Sequence, residues 1–152
     1  MGEPRWLDDA QQQQWRAYLQ GSTQLWDALD RRLKSSFGLT MPEYEILARL
    51  SAAPDRTRRM AELADEALQS RSRLSHTASR LEAKGLVIRE PCPDDRRGIN
   101  AILTDDGFRL LEKAAIDHVE AVRDYFVDLA APEDLEAIGR VFAAVAARTE
   151  TA

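Results

Sequence analysis

The sequence predicts a mainly α-helical protein carrying one small β-hairpin. Three observations lead there. Apolar residues recur at helical spacing over residues 8–37 and again over residues 105–145. Residues 40–83 break into short amphipathic stretches separated by turn residues. Two β-rich segments, Leu86–Glu90 and Ile99–Leu103, flank a tip of Pro, Asp, Arg and Gly.

The first stretch reads as one helix from Asp8 to about Phe37. Trp15, Leu19, Ser22, Trp26, Leu29 and Leu33 form a nearly unbroken seam. Asp8 and Asp9 suit its positive end, Arg31, Arg32 and Lys34 its negative end, and Gly38 stops it. A helix of that length spans roughly 45 Å, more than a small domain covers, so part of the seam is expected to pack on a second chain. Thr40-Met-Pro-Glu43 is a capping-box pattern opening a second helix that buries Ile46, Leu47 and Leu50. Ala53-Pro54-Asp55 is a turn, and a short third helix near Met60–Ala67 turns Met60, Leu63 and Ala64 inward.

The fourth helix is capped by Ser70 and stopped by Gly85. Leu74, Ala78 and Leu81 make its dry face; Arg73, His76 and Arg80 lie on another, with Ser72, Ser75 and Ser79 beside them. Arginine can bond a guanine edge through two donors, and short hydroxyl side chains allow close approach, so this face suits a DNA major groove. Taken alone it equally fits a solvated basic surface. The hairpin that follows, with Arg96 and Arg97 at its tip, changes the balance. Such a wing can place a cation in the narrow minor groove. Three short helices, the last one basic, followed by this hairpin make a winged helix-turn-helix arrangement.

Thr104-Asp-Asp-Gly107 starts a long helix with Phe108, Leu111, Ala115, His118 or Val119, Val122, Phe126 and Leu129 as its seam. Pro132 opens a last helix striped by Leu135, Ile138, Phe142 and Val145. Three parts are therefore expected: residues 1–37 and 105–152 as long terminal helices that meet each other in space, and residues 38–104 as a DNA-binding lobe.

Charge distribution agrees. The chain carries a net −5 over 152 residues, yet residues 56–97 hold ten Arg or Lys against seven Asp or Glu. A basic reading surface on an acidic body fits that asymmetry. The hydrophobic share of 44% supports an ordinary core. No apolar run is long enough to span a bilayer or act as a signal peptide, so a cytoplasmic protein without membrane partners is expected.

Read together, the blocks Arg80-Leu-Glu-Ala-Lys-Gly-Leu-Val87, Asp94-Asp-Arg-Arg-Gly98 and Ala101-Ile-Leu-Thr-Asp-Asp-Gly107 resemble the MarR family of bacterial winged-helix transcriptional regulators. The resemblance covers roughly residues 12–148. It implies a homodimer built by the terminal helices, binding a roughly palindromic double-stranded DNA operator, usually as a repressor. By position it implies that Ser70, Arg71, Ser72, Arg73, Ser75, His76, Ser79 and Arg80 face the major groove or its phosphates. It places Arg96 and Arg97 on the wing and gives Asp95 the task of positioning an arginine. Gly98, which would loosen the tip, and Ala131, standing where a capping Ser or Thr is common, depart from the pattern.

In this family a small aromatic or phenolic effector often binds between the dimer helices and the DNA lobe. Trp15, Tyr18, Trp26 and His118 are the candidate lining residues, with ordinary core and interface packing as the alternative. Cys92 is the single cysteine; near Arg89, Arg96 and Arg97 it offers a redox-sensing alternative. A winged-helix protein-interaction module without DNA binding is the other competing function. No Gly-rich phosphate loop, metal-ligand spacing or nucleophile–base pair is present, so neither an enzyme, a metal nor a cofactor is expected.

Overall fold

A computed structural model describes residues 2–150. Six α-helices and a three-stranded antiparallel sheet make it up, divided between two compact units, Met1–His118 and Val119–Ala152. The boundary thus falls inside the fifth helix, and the first helix groups with the central lobe.

Helix α1 (Asp9–Phe37) opens on a full capping box between Asp8 and Gln11 and closes on Gly38, whose φ of 67° suits a residue without Cβ. Only the C-terminal part of its seam is buried, at Leu29 and Leu33. Trp15, Leu19 and Trp26 remain 52%, 44% and 49% exposed.

Helix α2 (Met41–Ala52) is capped by Thr40, which accepts from the Glu43 N–H at 3.2 Å. The expected capping box is only half made. The Glu43 side chain does not turn back to the cap but runs inward, 1% exposed, to Lys84 Nζ at 2.5 Å and Arg80 Nε at 3.3 Å. A buried carboxylate is costly unless paired, and the two cations of a neighbouring helix outcompete one exposed backbone N–H. Asp30 of α1 takes up the slack at α2: it accepts from the Met41 N–H at 2.9 Å and pairs with Lys34 at 2.6 Å. Burial pushes its carboxyl up, but the Lys34 and Met41 hydrogen bonds outweigh that and hold it below the usual range.

Strand β1 (Thr57–Arg59) was not expected; its Thr-Arg-Arg has no apolar alternation. It pairs with β3 (Asp95–Leu103), which also pairs with β2 (Val87–Cys92), giving the order β1-β3-β2. The wing is therefore longer than predicted. Pairing runs through Pro91↔Ile99 and, after a bulge, Cys92↔Asp95, leaving only Pro93 and Asp94 at the turn. Ala101 and Leu103 are buried as expected, but Ile99 is exposed. A Cβ at Gly98 would lie 3.1 Å from that of Cys92, so the glycine makes room for a close cross-strand contact.

Helices α3 (Met60–Glu66) and α4 (Arg71–Ala83) form the helix-turn-helix. Leu74, Ala78 and Leu81 are buried on the predicted face, joined by Thr77. Helix α5 (Asp105–Tyr125) is capped as predicted, Thr104 Oγ1 accepting from the Gly107 N–H at 3.0 Å. It ends before Leu129, which lies in a 3-10 turn and is exposed, so the seam stops short of that residue. Helix α6 (Pro132–Glu150) starts on its proline. No helix among the described residues is long and apolar enough to cross a membrane.

Candidate nucleic-acid interface

The candidate reading surface is built from the first turns of α4. Ser70 caps the helix by accepting from the Arg73 N–H at 3.1 Å, so its hydroxyl oxygen is engaged at home. No acidic residue occupies the first turn. The helix end therefore offers its own positive pole, uncompensated, to an anion. Arg71, Ser72, Arg73 and His76 are exposed, and the side chains of Arg71, Arg73 and His76 make no hydrogen bond or ion pair among the described residues. They are cations or donors waiting for an external partner.

The remaining predicted groove residues are differently placed. Arg80 is half-exposed but bonds Glu43 and, through Nη2, Thr77 Oγ1 at 3.3 Å. Ser75 and Ser79 accept from Arg89 of β2 at 3.2 and 2.9 Å. Sequence reasoning missed these partners, Glu43, Lys84 and Arg89. The signal for Arg89 was present: an arginine in phase with buried Val87 on a strand faces inward, not outward. Glu43 carried no comparable signal, since its place in a capping box explained it already.

On the wing, Arg96 and Arg97 are exposed, and neither guanidinium has a partner among the described residues. Asp95 Oδ1 accepts from the Arg97 backbone N–H at 3.0 Å. Its other oxygen lies 3.7 Å from Arg59 Nη1. Arg59, Arg71 and Arg97 line a cavity of about 380 Å³ between wing and helix, with Asp95, Leu74 and Ile99 on its walls. Arginines from β1, α4 and β3 thus line one cavity, where the Asp95 carboxylate already pairs with Arg59.

The four proposed effector residues are not brought together. Trp26 lines a cavity of about 420 Å³ between α1, α2 and α4, with Asp30, Arg73, His76 and Arg80. Trp15 and Tyr18 stack on each other, ring centres 5.5 Å apart, farther up α1. Helical rise separates Trp15 from Trp26 by roughly 16 Å, which is why one seam cannot be one pocket. His118 instead packs on Tyr44 with ring centres 4.4 Å apart. Burial holds its imidazole below the ordinary value, against the upward pull of Asp117. Asp117 is itself held low, chiefly by its hydrogen bonds from Arg32 at 2.8 and 2.9 Å.

Cys92 is buried, and its thiol donates to Asn100 Oδ1 at 3.3 Å. Arg89 faces α4, not the sulfur, so the expected cationic surroundings lose one member. No group of three or more His, Cys, Asp or Glu able to hold a metal occurs among the described residues.

A capped, cation-faced second helix of a helix-turn-helix beside an arginine-tipped hairpin defines the winged helix-turn-helix class. Comparison with known proteins narrows this. The MarR family model matches residues 37–98. AbsC, a MarR family transcriptional regulator from Streptomyces coelicolor, is 42% identical with a TM-score of 0.94, over 98% of this chain and 100% of its own. Sco3205, a MarR family transcriptional regulator of the same organism solved in complex with DNA, is 44% identical with a TM-score of 0.92, over 96% and 91%. The transcriptional regulator PecS of Dickeya dadantii (strain 3937) is 35% identical over 99 residues, 64% of this chain and 58% of that protein. The chain belongs to the MarR family of transcriptional regulators and is not an enzyme.

Proposed function

We propose that this protein is a cytoplasmic, ligand-responsive repressor that binds a palindromic double-stranded DNA operator as a homodimer. The observation that carries the reading is the set of unpartnered cations, Arg71, Arg73, Arg96 and Arg97, gathered on α4 and the wing of an otherwise acidic chain. A pure protein-interaction module would have no need of them. Arg73 and His76 read base edges; Arg71, Arg96 and Arg97 hold phosphates or the minor groove. Solution of Sco3205 in complex with DNA supports the partner.

Residues 1–37 and 105–152 form the dimer in this reading, and residues 38–104 the DNA lobe. The exposed Trp15 and Leu19 of α1 support it, as does the exposed stripe Val141, Phe142 and Val145 of α6. Two reading helices must lie about one DNA turn apart, about 34 Å, to serve both half-sites. The cavity beneath Trp26 is the effector site. An aromatic ring stacked on Trp26, bearing an acid group toward Arg73 or His76, would draw on the same side chains that meet DNA. Binding of one would then disfavour the other.

Selection from a random duplex pool supplies the operator for testing. Arg73→Ala should weaken binding by about 1–3 kcal/mol and relax preference at one position. Arg97→Ala should weaken operator and unrelated duplexes alike, with a shallower salt slope. Equal operator affinity in both variants would remove the assignment. Saturating phenolic acids that change neither operator affinity nor melting would remove the effector site.

A further inference from the structure

Arg89 lies in β2 opposite Ala101, on the strand face that also carries the buried Val87. Its side chain therefore passes beneath α4. The guanidinium is shared three ways: Nε donates to the Glu82 carboxylate, Nη1 to Ser75 Oγ at 3.2 Å and Nη2 to Ser79 Oγ at 2.9 Å. Ser75, Ser79 and Glu82 stand four and three residues apart, which puts them on one face of the helix. One strand side chain thus grips about two turns of α4 along a single line. Ser79 has no donor to spare, because its hydroxyl already donates to the Ser75 carbonyl at 2.9 Å.

Resting on the DNA-binding reading, we infer that Arg89 is a positioning residue for base recognition. It fixes the roll of α4 about its own axis relative to the wing, acting through Ser75 and Ser79, which hold the helix and do not contact phosphate. A roll of about 20° at a side-chain radius of roughly 6 Å moves a tip by about 2 Å. That exceeds the tolerance of a hydrogen bond to a base edge. Since Glu82 neutralises Arg89, the residue adds no charge to the phosphate-facing surface.

Affinity for a selected operator should be measured across a salt series for wild type, Arg89→Met, a Ser75→Ala/Ser79→Ala variant, and all three substitutions together. Arg89→Met should bind about tenfold more weakly at an unchanged salt slope, and adding the serine changes should cost little more, because coupled residues lose one interaction once. The serine variant keeps the Arg89–Glu82 pair and small helix-favouring side chains, so it reports even if Arg89→Met melts early. A slope shallower by about one would mean direct phosphate contact by Arg89 and overturn the inference. Additive losses, or wild-type affinity in Arg89→Met, would overturn it as well. Wild type that binds no duplex would remove the DNA-binding reading on which it rests; binding by wild type with additive variants removes the Arg89 role alone.

Discussion

Gly107 shows how closely single side chains bear on the reading lobe. It sits in the first turn of α5, and a Cβ added there would lie 2.2 Å from the Leu86 carbonyl oxygen and 2.7 Å from Leu103 Cδ1. That carbonyl cannot swing away, because it accepts from the Thr104 N–H at 3.1 Å. Helix and wing base must therefore separate to admit a methyl group. Gly107→Ala should destabilise the protein by about 1–3 kcal/mol, seen as a lower urea midpoint with an unchanged slope. A midpoint equal to wild type would show that the contact relaxes freely. At this scale the sequence was readable wherever one residue answers to one local rule. Ser70 and Thr104 cap because a hydroxyl before a helix meets its orphan N–H groups, and those caps formed as expected; Asp8, read only as suiting the positive helix end, is itself the cap of α1. Glu43, Ser79 and Arg80 were not readable, because each had a plausible local role and took a partner far along the chain instead.

Among the elements, helices with long apolar periods were legible and the edges of the sheet were not. The three-residue β1 has no hydrophobic face to announce it; β3 supplies the template. The wing tip read as loop from its prolines and aspartates, yet Pro91 is tolerated within β2 because that strand lies at the sheet edge, where one side of the ladder needs no N–H. Helix α5 carries two neighbours whose protonation ties it to the lobe. Asp117 is held below its ordinary value by Arg32, so folding gains from it above about pH 4 and loses that gain as pH falls through its lowered value. His118, kept low by burial against Tyr44, acts in the same direction in a higher window: its contribution is intact above about pH 6.5 and disappears on acidification below that. Urea melts taken from pH 7.5 down to 3 should show stability falling in both windows. Asp117→Asn should flatten the lower one and His118→Gln the upper. Unchanged pH profiles in both variants would mean that neither group titrates differently on folding.

For the whole molecule, the number of cations meeting DNA depends on how many lobes meet it together. In the proposed reading each chain brings four unpartnered arginines to the DNA, Arg71, Arg73, Arg96 and Arg97, while its net charge of −5 resists loose contact with a polyanion. Every phosphate neutralised releases counterions, so the logarithm of affinity falls with the logarithm of salt at about 0.9 per contact. A dimer using all eight arginines on phosphates would approach a slope of about −7. With Arg73 on bases in both lobes it would lie near −5. A lone lobe could not exceed about −4. Leu19→Glu tests the link, since it sets a carboxylate into the exposed seam of α1, far along the helix from the residues that α1 buries in the lobe, Leu29 and Leu33. Two such charges facing each other across an apolar interface would keep the chains apart. The variant should sediment as a monomer, melt as a folded lobe, and bind operator with roughly half the wild-type slope. If it stays dimeric, the seam is not the contact. If it is monomeric and keeps the full slope, one lobe makes all the contacts and the paired-head arrangement is wrong.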